Sequence, residues 1–163
     1  MEDEMLFIVT VATCCVFFAL CVLGTGTDEK NLKSYPSYPD EVQEQVQQIK
    51  EYRGKFKEAN KLTAWIGNFL VFTVLFFALG LLFRQKSFMP NFLSLLVLGQ
   101  TLNVFDLIVI DLLWWRNSKR IRFSKIPEKQ LYQNPKKHIE AFGRALVLYA
   151  CVALLDGYLL TLF

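Results

Sequence analysis

A chain of 163 residues that is 53% hydrophobic, with 15 Phe and only 20% charged residues, is more apolar than an ordinary soluble domain. Its net charge of +3 is small, and its bases lack the aromatic interleaving or motif that would indicate nucleic acid. A single histidine excludes bis-His haem ligation and a His-based zinc site, so no cofactor, no metal and no catalytic group are assigned.

The acidic tail "MEDEM" leads into a first apolar stretch, Met5–Gly24. A cleaved secretory signal starts basic and has a core of about 7–15 apolar residues, so this stretch reads as a retained helix. Cys14, Cys15, Cys21 and Cys151 have no metal or redox spacing and read as small buried apolar side chains. "GTGT" reads as a turn and "SYPSYP" as a loop, because Pro36 and Pro39 disfavour helix before them. Asp40 then stands as an N-cap with Gln43 in capping-box spacing, and Val42, Val46, Ile49, Arg53 and Phe56 recur at three- and four-residue steps. The spacing predicts an amphipathic cytoplasmic helix over about 40–60. It lies on the bilayer, or packs against the third connection or a partner.

Three more apolar stretches follow: Leu62–Phe83, Phe92–Trp115 and Phe142–Phe163. Like the first, each has the length of about 20 residues that crosses roughly 30 Å of hydrocarbon as a helix, without a polar stripe. The expected fold is all-α, one polytopic membrane domain of four transmembrane helices plus the amphipathic helix. Segment 25–61 carries seven Lys/Arg and the basic loop 116–140 carries eight, against two in connection 84–91. The positive-inside rule makes the first and third connections cytoplasmic, leaves both termini outside, and fits a plasma-membrane protein. Arg116, Lys119, Arg120, Arg122 and Lys125 begin at the membrane edge and are expected to meet anionic headgroups.

The third stretch carries polar residues that need a reason, because an ionised carboxylate in lipid costs at least a few kcal/mol. At 100° per residue Gln100, Asn103, Asp106 and Asp111 share one arc of roughly 140°. Counting inward from Trp115 as an interfacial residue, Asp111 is about 6 Å deep, Asp106 about 14 Å, Asn103 about 18 Å and Gln100 about 22 Å. Asn68 falls about 9 Å deep on the second helix, and on the fourth Arg144 falls at about 5 Å and Asp156 at about 22 Å. Level positions predict an Arg144–Asp111 pair, and hydrogen bonds from Gln100 and Asn103 to Asp156. Asp106 is left near the midplane without a cation, where desolvation disfavours its charged form.

"NVFD" at Asn103–Asp106 resembles the N-x-x-D motif of lipoprotein signal peptidases, which are intramembrane aspartyl proteases. Leu107 stands where that family has arginine, and Asp156 lies in "ALLDGY" without the second motif, so the proteolytic activity implied by the resemblance is rejected. The spaced aspartates of CDP-alcohol phosphotransferases and a G-x-S-x-G elbow are also missing. "SYPSYPDEVQ" after one helix, with a polar third helix and then "PKKH", resembles small four-helix bacterial integral membrane proteins, and implies no activity. Three functions compete. First is an accessory or binding subunit built around a polar cluster centred on Asp106, working as a homo-oligomer or with a partner membrane subunit. Second is a small proton- or cation-coupled transporter or channel component, and a membrane-embedded enzyme comes last.

Overall fold

The computed structural model describes residues 2–56 and 60–162. Among the described residues six α-helices form: α1 (Glu2–Leu23), α2 (Asp28–Lys33), α3 (Asp40–Gln48), α4 (Lys61–Gly80), α5 (Phe88–Phe105) and α6 (Lys136–Leu159). Beyond α5 the chain winds on as a π-helix over Asp106–Trp114 and a 3-10 turn at Trp115–Asn117. The only extended pairing among the described residues is an isolated antiparallel bridge between Phe123 and Ile126. Among the described residues four helical runs are long and apolar enough to cross a membrane: Asp3–Leu23, Lys61–Gly80, Phe88–Asn117 and Lys129–Leu162.

The chain divides into two compact units, each assembled from segments distant in sequence. The first comprises residues 1–16, 60–105 and 142–163, and the second residues 17–59 and 106–141.

In the first unit helix packing is set by small residues, as expected where lipid supplies no hydrophobic drive between helices. A Cβ on Gly99 would come within 2.9 Å of both the Phe76 ring and Tyr149 Cβ, and one on Gly157 within 3.0 Å of the Phe92 backbone. Phe76 and Tyr149 stack with ring centroids 5.5 Å apart, with Phe72 edge-on to Tyr149 at 4.9 Å. Two long polar side chains fix α5 against α6. Gln100 Nε2 donates to Leu146 O at 3.1 Å and Asn103 Nδ2 to Phe142 O at 3.3 Å. With Gly99 at Tyr149 and Gly157 at Phe92, these contacts set an antiparallel register.

The second unit has an aromatic core of its own. Leu32, Tyr35, Tyr38, Val42, Val46 and Tyr52 from the first connection pack with Trp115, Ile121, Phe123, Ile126 and Tyr132 from the third. Tyr38 lies at its centre, 5.1 Å from Trp115, 5.0 Å from Phe123 and 6.0 Å from Tyr132 between ring centroids. Its buried hydroxyl donates to Ile121 O at 2.8 Å, and burial pushes its ionisation far above the ordinary tyrosine range. The apolar face of the predicted amphipathic helix therefore belongs to this core.

That helix is shorter than its periodicity suggests. It ends at Gln48, single turns closed by Tyr52 N–H to Ile49 O and Lys55 N–H to Tyr52 O carry the chain on, and Gly54 adopts φ +73°. Residues 57–59 of the predicted span lie outside the described residues. Asp40 is not the cap either. The N-cap is Pro39, the Gln43 amide donates to Tyr38 O at 2.8 Å, and Asp40 meets Lys137 Nζ at 2.7 Å.

Candidate functional site

The polar residues expected to form one intramembrane cluster fall into three groups. Gln100 and Asn103 serve as helix clamps in the first unit, spending their amides on α6 carbonyls. Asn68 and Arg144, also in the first unit, are exposed on α4 and α6 and make no hydrogen bond or ion pair with the described residues. Asp156 is 0% exposed, and neither of its carboxylate oxygens has a hydrogen-bond partner among the described residues.

Two expected pairings are thereby corrected. The Asn103–Phe142 and Gln100–Leu146 bonds run antiparallel, so Asp156 stands ten residues beyond the Gln100 level, roughly 15 Å away along α6. Arg144 does not reach Asp111 either. The carboxylate instead accepts a hydrogen bond from His138, with Nδ1 to Oδ1 at 2.9 Å.

The Asp111–His138 pair is the chemical centre of the second unit. From Asp106 the backbone bonds run i→i+5. Five residues of α-helix would separate Asp106 and Asp111 by about 140°, whereas the wider winding swings them towards one line. His138 is buried, with the Trp115 ring edge-on at 4.7 Å between centroids. With Nδ1 bound to Asp111, the tautomer and ring plane are fixed, and Nε2 is left buried without a partner. Asp106, half-buried, lies within electrostatic range of both Asp111 and His138. An acid that orients an imidazole with its second nitrogen free can accept, hold or pass a proton. No group of three or more His, Cys, Asp or Glu placed to hold a metal occurs among the described residues. The cysteines are all free; Cys14 is buried, whereas Cys15 is exposed and so departs from the expected burial.

Two of the five bases of the basic connection expected at headgroups, Arg120 and Lys125, are spent on internal contacts. The Arg120 guanidinium donates from Nη2 to Val22 O at 3.2 Å and Thr25 O at 3.0 Å, closing the carbonyl end of α1. Gly26, at φ +108°, makes room for it, because a Cβ there would lie 2.7 Å from Nη2. Lys125 pairs with Glu51. Arg116 and Arg122 are half-buried with unpartnered Nε atoms, so of the five expected headgroup contacts Lys119 is the one left exposed and free of partners among the described residues.

Asp28 joins the two connections. Oδ1 accepts from Ser124 N–H at 2.8 Å, and Oδ2 accepts from the Tyr52 hydroxyl at 2.6 Å and from the Ser124 hydroxyl. Burial alone would raise its ionisation, but these bonds and the nearby Lys125 charge outweigh burial and hold the carboxyl below its ordinary value. A depressed folded-state value gives stability that is present above the unfolded value of about 3.9 and lost as pH falls through the folded one. Thermal unfolding of this unit, followed by tryptophan fluorescence, should therefore weaken with acid below about pH 4 in the wild type. Asp28→Asn should remove that part of the acid dependence and be less stable at neutral pH.

His138 carries the site, yet the sequence reading uses it only to exclude metals. One signal was available. "NP" at Asn134–Pro135 is a helix-start pattern, and Asn134 Oδ1 does accept from Lys136 N–H at 3.1 Å. That starts α6 at Lys136 and puts His138 on its first turn. Comparison of the chain with protein-family models, with curated proteins and with solved structures gave no match.

Proposed function

We propose that the protein is a multi-pass plasma-membrane protein with both termini outside, acting as an accessory or binding subunit that docks a second membrane chain on its first unit. The observation that carries this reading is the exposure of Asn68 and Arg144 on helices apolar enough to span a bilayer. Each lies about two turns in from the start of its helix. Facing hydrocarbon, an amide has nothing to bond and a guanidinium must stretch to the headgroups, whereas a neighbouring helix can satisfy both at a gain of about 0.6–2 kcal/mol each. Gly67 and Gly143, beside them in sequence, have nothing within 4 Å of a built Cβ, which leaves room for such a helix. Of the bases expected at anionic headgroups, Lys119 is the one exposed and free to meet them.

A photo-crosslinker at Val71, one turn past Asn68 and exposed, tests this in native membranes. The expected result is a discrete adduct with another copy or a second membrane chain, weakened about tenfold by Asn68→Leu with Arg144→Leu. Adducts with lipid alone, or a protein adduct indifferent to both substitutions, would sink the reading.

A second reading, a proton- or cation-coupled transport component, is favoured by the Asp106–Asp111–His138 line in the second unit. It predicts a pH-dependent flux in proteoliposomes that His138→Gln removes.

A further inference from the structure

Asp156 belongs to none of the arrangements above. It is wholly buried, one turn after Ala153 and Val152 and one turn before Leu160, all of them buried as well. On its C-terminal side Gly157 rests against the Phe92 backbone. That contact places Asp156 near the start of α5, because Phe92 is four residues, about 6 Å, from Phe88. The chain that leads into α5 is stapled there. Asn91, itself buried, accepts from Gln85 N–H through Oδ1 at 2.7 Å and donates to Gln85 O through Nδ2 at 2.9 Å.

A carboxylate without a hydrogen bond or a cation is among the costliest groups to bury, and a leucine would fill the same space without that cost. The charged and titratable groups of this unit do not relieve it. Arg84 and Lys86 flank the staple, Asp3 and Glu4 open α1, Tyr149 and Tyr158 lie on α6 itself, and Lys61 and Arg144 sit near the opposite helix ends. None of them bonds to either Asp156 oxygen among the described residues.

We propose that Asp156 is a proton-binding site of the membrane bundle, separated from water at the 81–87 end by the Gln85–Asn91 staple. The step is the simplest one available. The carboxylate takes a proton from water as the staple opens, and returns it the same way, with no other reactant. The proposal does not rest on the accessory reading and survives its failure.

Infrared spectroscopy of the full chain in nanodiscs tests it through the C=O stretch of a protonated carboxylic acid. The wild type should show a band at neutral pH that is missing from Asp156→Asn, fades reversibly as pH rises, and returns on acidification. After a pH jump the band should change about tenfold faster in Asn91→Ala, which removes both staple bonds. Asn91→Ser serves the same purpose if the alanine variant does not fold. Asp156→Asn should melt no lower than wild type, since it removes a cost. The proposal is overturned by the absence of an Asp156-dependent band, or by a band that persists unchanged up to alkaline unfolding. It is equally overturned if Asp156→Asn and Asp156→Leu both melt well below wild type, the mark of a structural clamp.

Discussion

Tyr38→Ala should cost the second unit about 3–5 kcal/mol, the range for deleting a large aromatic side chain from a packed core. Tyr38 is only 1% exposed and its ring meets three others, from Trp115, Phe123 and Tyr132. Truncation leaves a cavity that the three remaining rigid rings cannot close by changing rotamer. It also leaves the buried Ile121 carbonyl without the hydroxyl that now donates to it. Tyr38→Phe separates the two effects. It keeps the ring contacts and removes only the hydrogen bond, so the loss should be about 1 kcal/mol. Thermal unfolding read by tryptophan fluorescence, beside helix content by circular dichroism, distinguishes the variants. Equal losses for alanine and phenylalanine would mean that the hydroxyl, not ring packing, holds the unit together.

The same residues show why the sequence was readable in some places and opaque in others. Spans of some 20 apolar residues need no partner to be recognised, since lipid on every side removes the polar stripe that a soluble helix must carry. The apolar face of Val42 and Val46 was equally legible, and packing against the third connection was one of its foreseen uses. Its length was not, because Gly54 and the single turns after Gln48 end the helix while apolar residues still recur at helical spacing.

The candidate site was harder to read, for two physical reasons. Trp115 looked like an interfacial residue and was used to measure depth, yet it is buried among Tyr38, Tyr132 and His138. Gln100 was counted from Trp115 and Asp156 from the start of the fourth helix, which is how the two came to be set level although Gln100 meets Leu146. The second reason is the π-helical winding from Asp106, which breaks the 100° wheel at the residue where the charged side chains begin. The wheel held over Gln100 and Asn103, whose bonds to α6 do share a face. Across a change of winding, no periodicity argument could place Asp111 against His138.

Asp111→Ala should be the most damaging single change at that pair, at about 3 kcal/mol, the upper end of the cost of stranding a buried hydrogen-bonding group. His138 is buried, so its Nδ1–H would lose Asp111 with no water to replace it, and Nε2 already has no partner. His138→Ala should cost a similar amount, through the Trp115 contact as well as the bond. The double variant separates the two contributions. If the pair acts as a unit, the combined loss should fall short of the sum of the single losses by at least about 1 kcal/mol. Strict additivity would mean that the 2.9 Å contact contributes nothing, and that the site is held by packing on Trp115 alone. Asp111→Asn adds what truncation cannot, because it keeps an oxygen to accept from Nδ1–H and discards only the charge. Recovery of most of the lost stability would show that the bond needs an acceptor and no anion. A loss as large as that of alanine would show that the imidazole opposite Asp111 carries a positive charge, the state a proton-passing site must be able to reach.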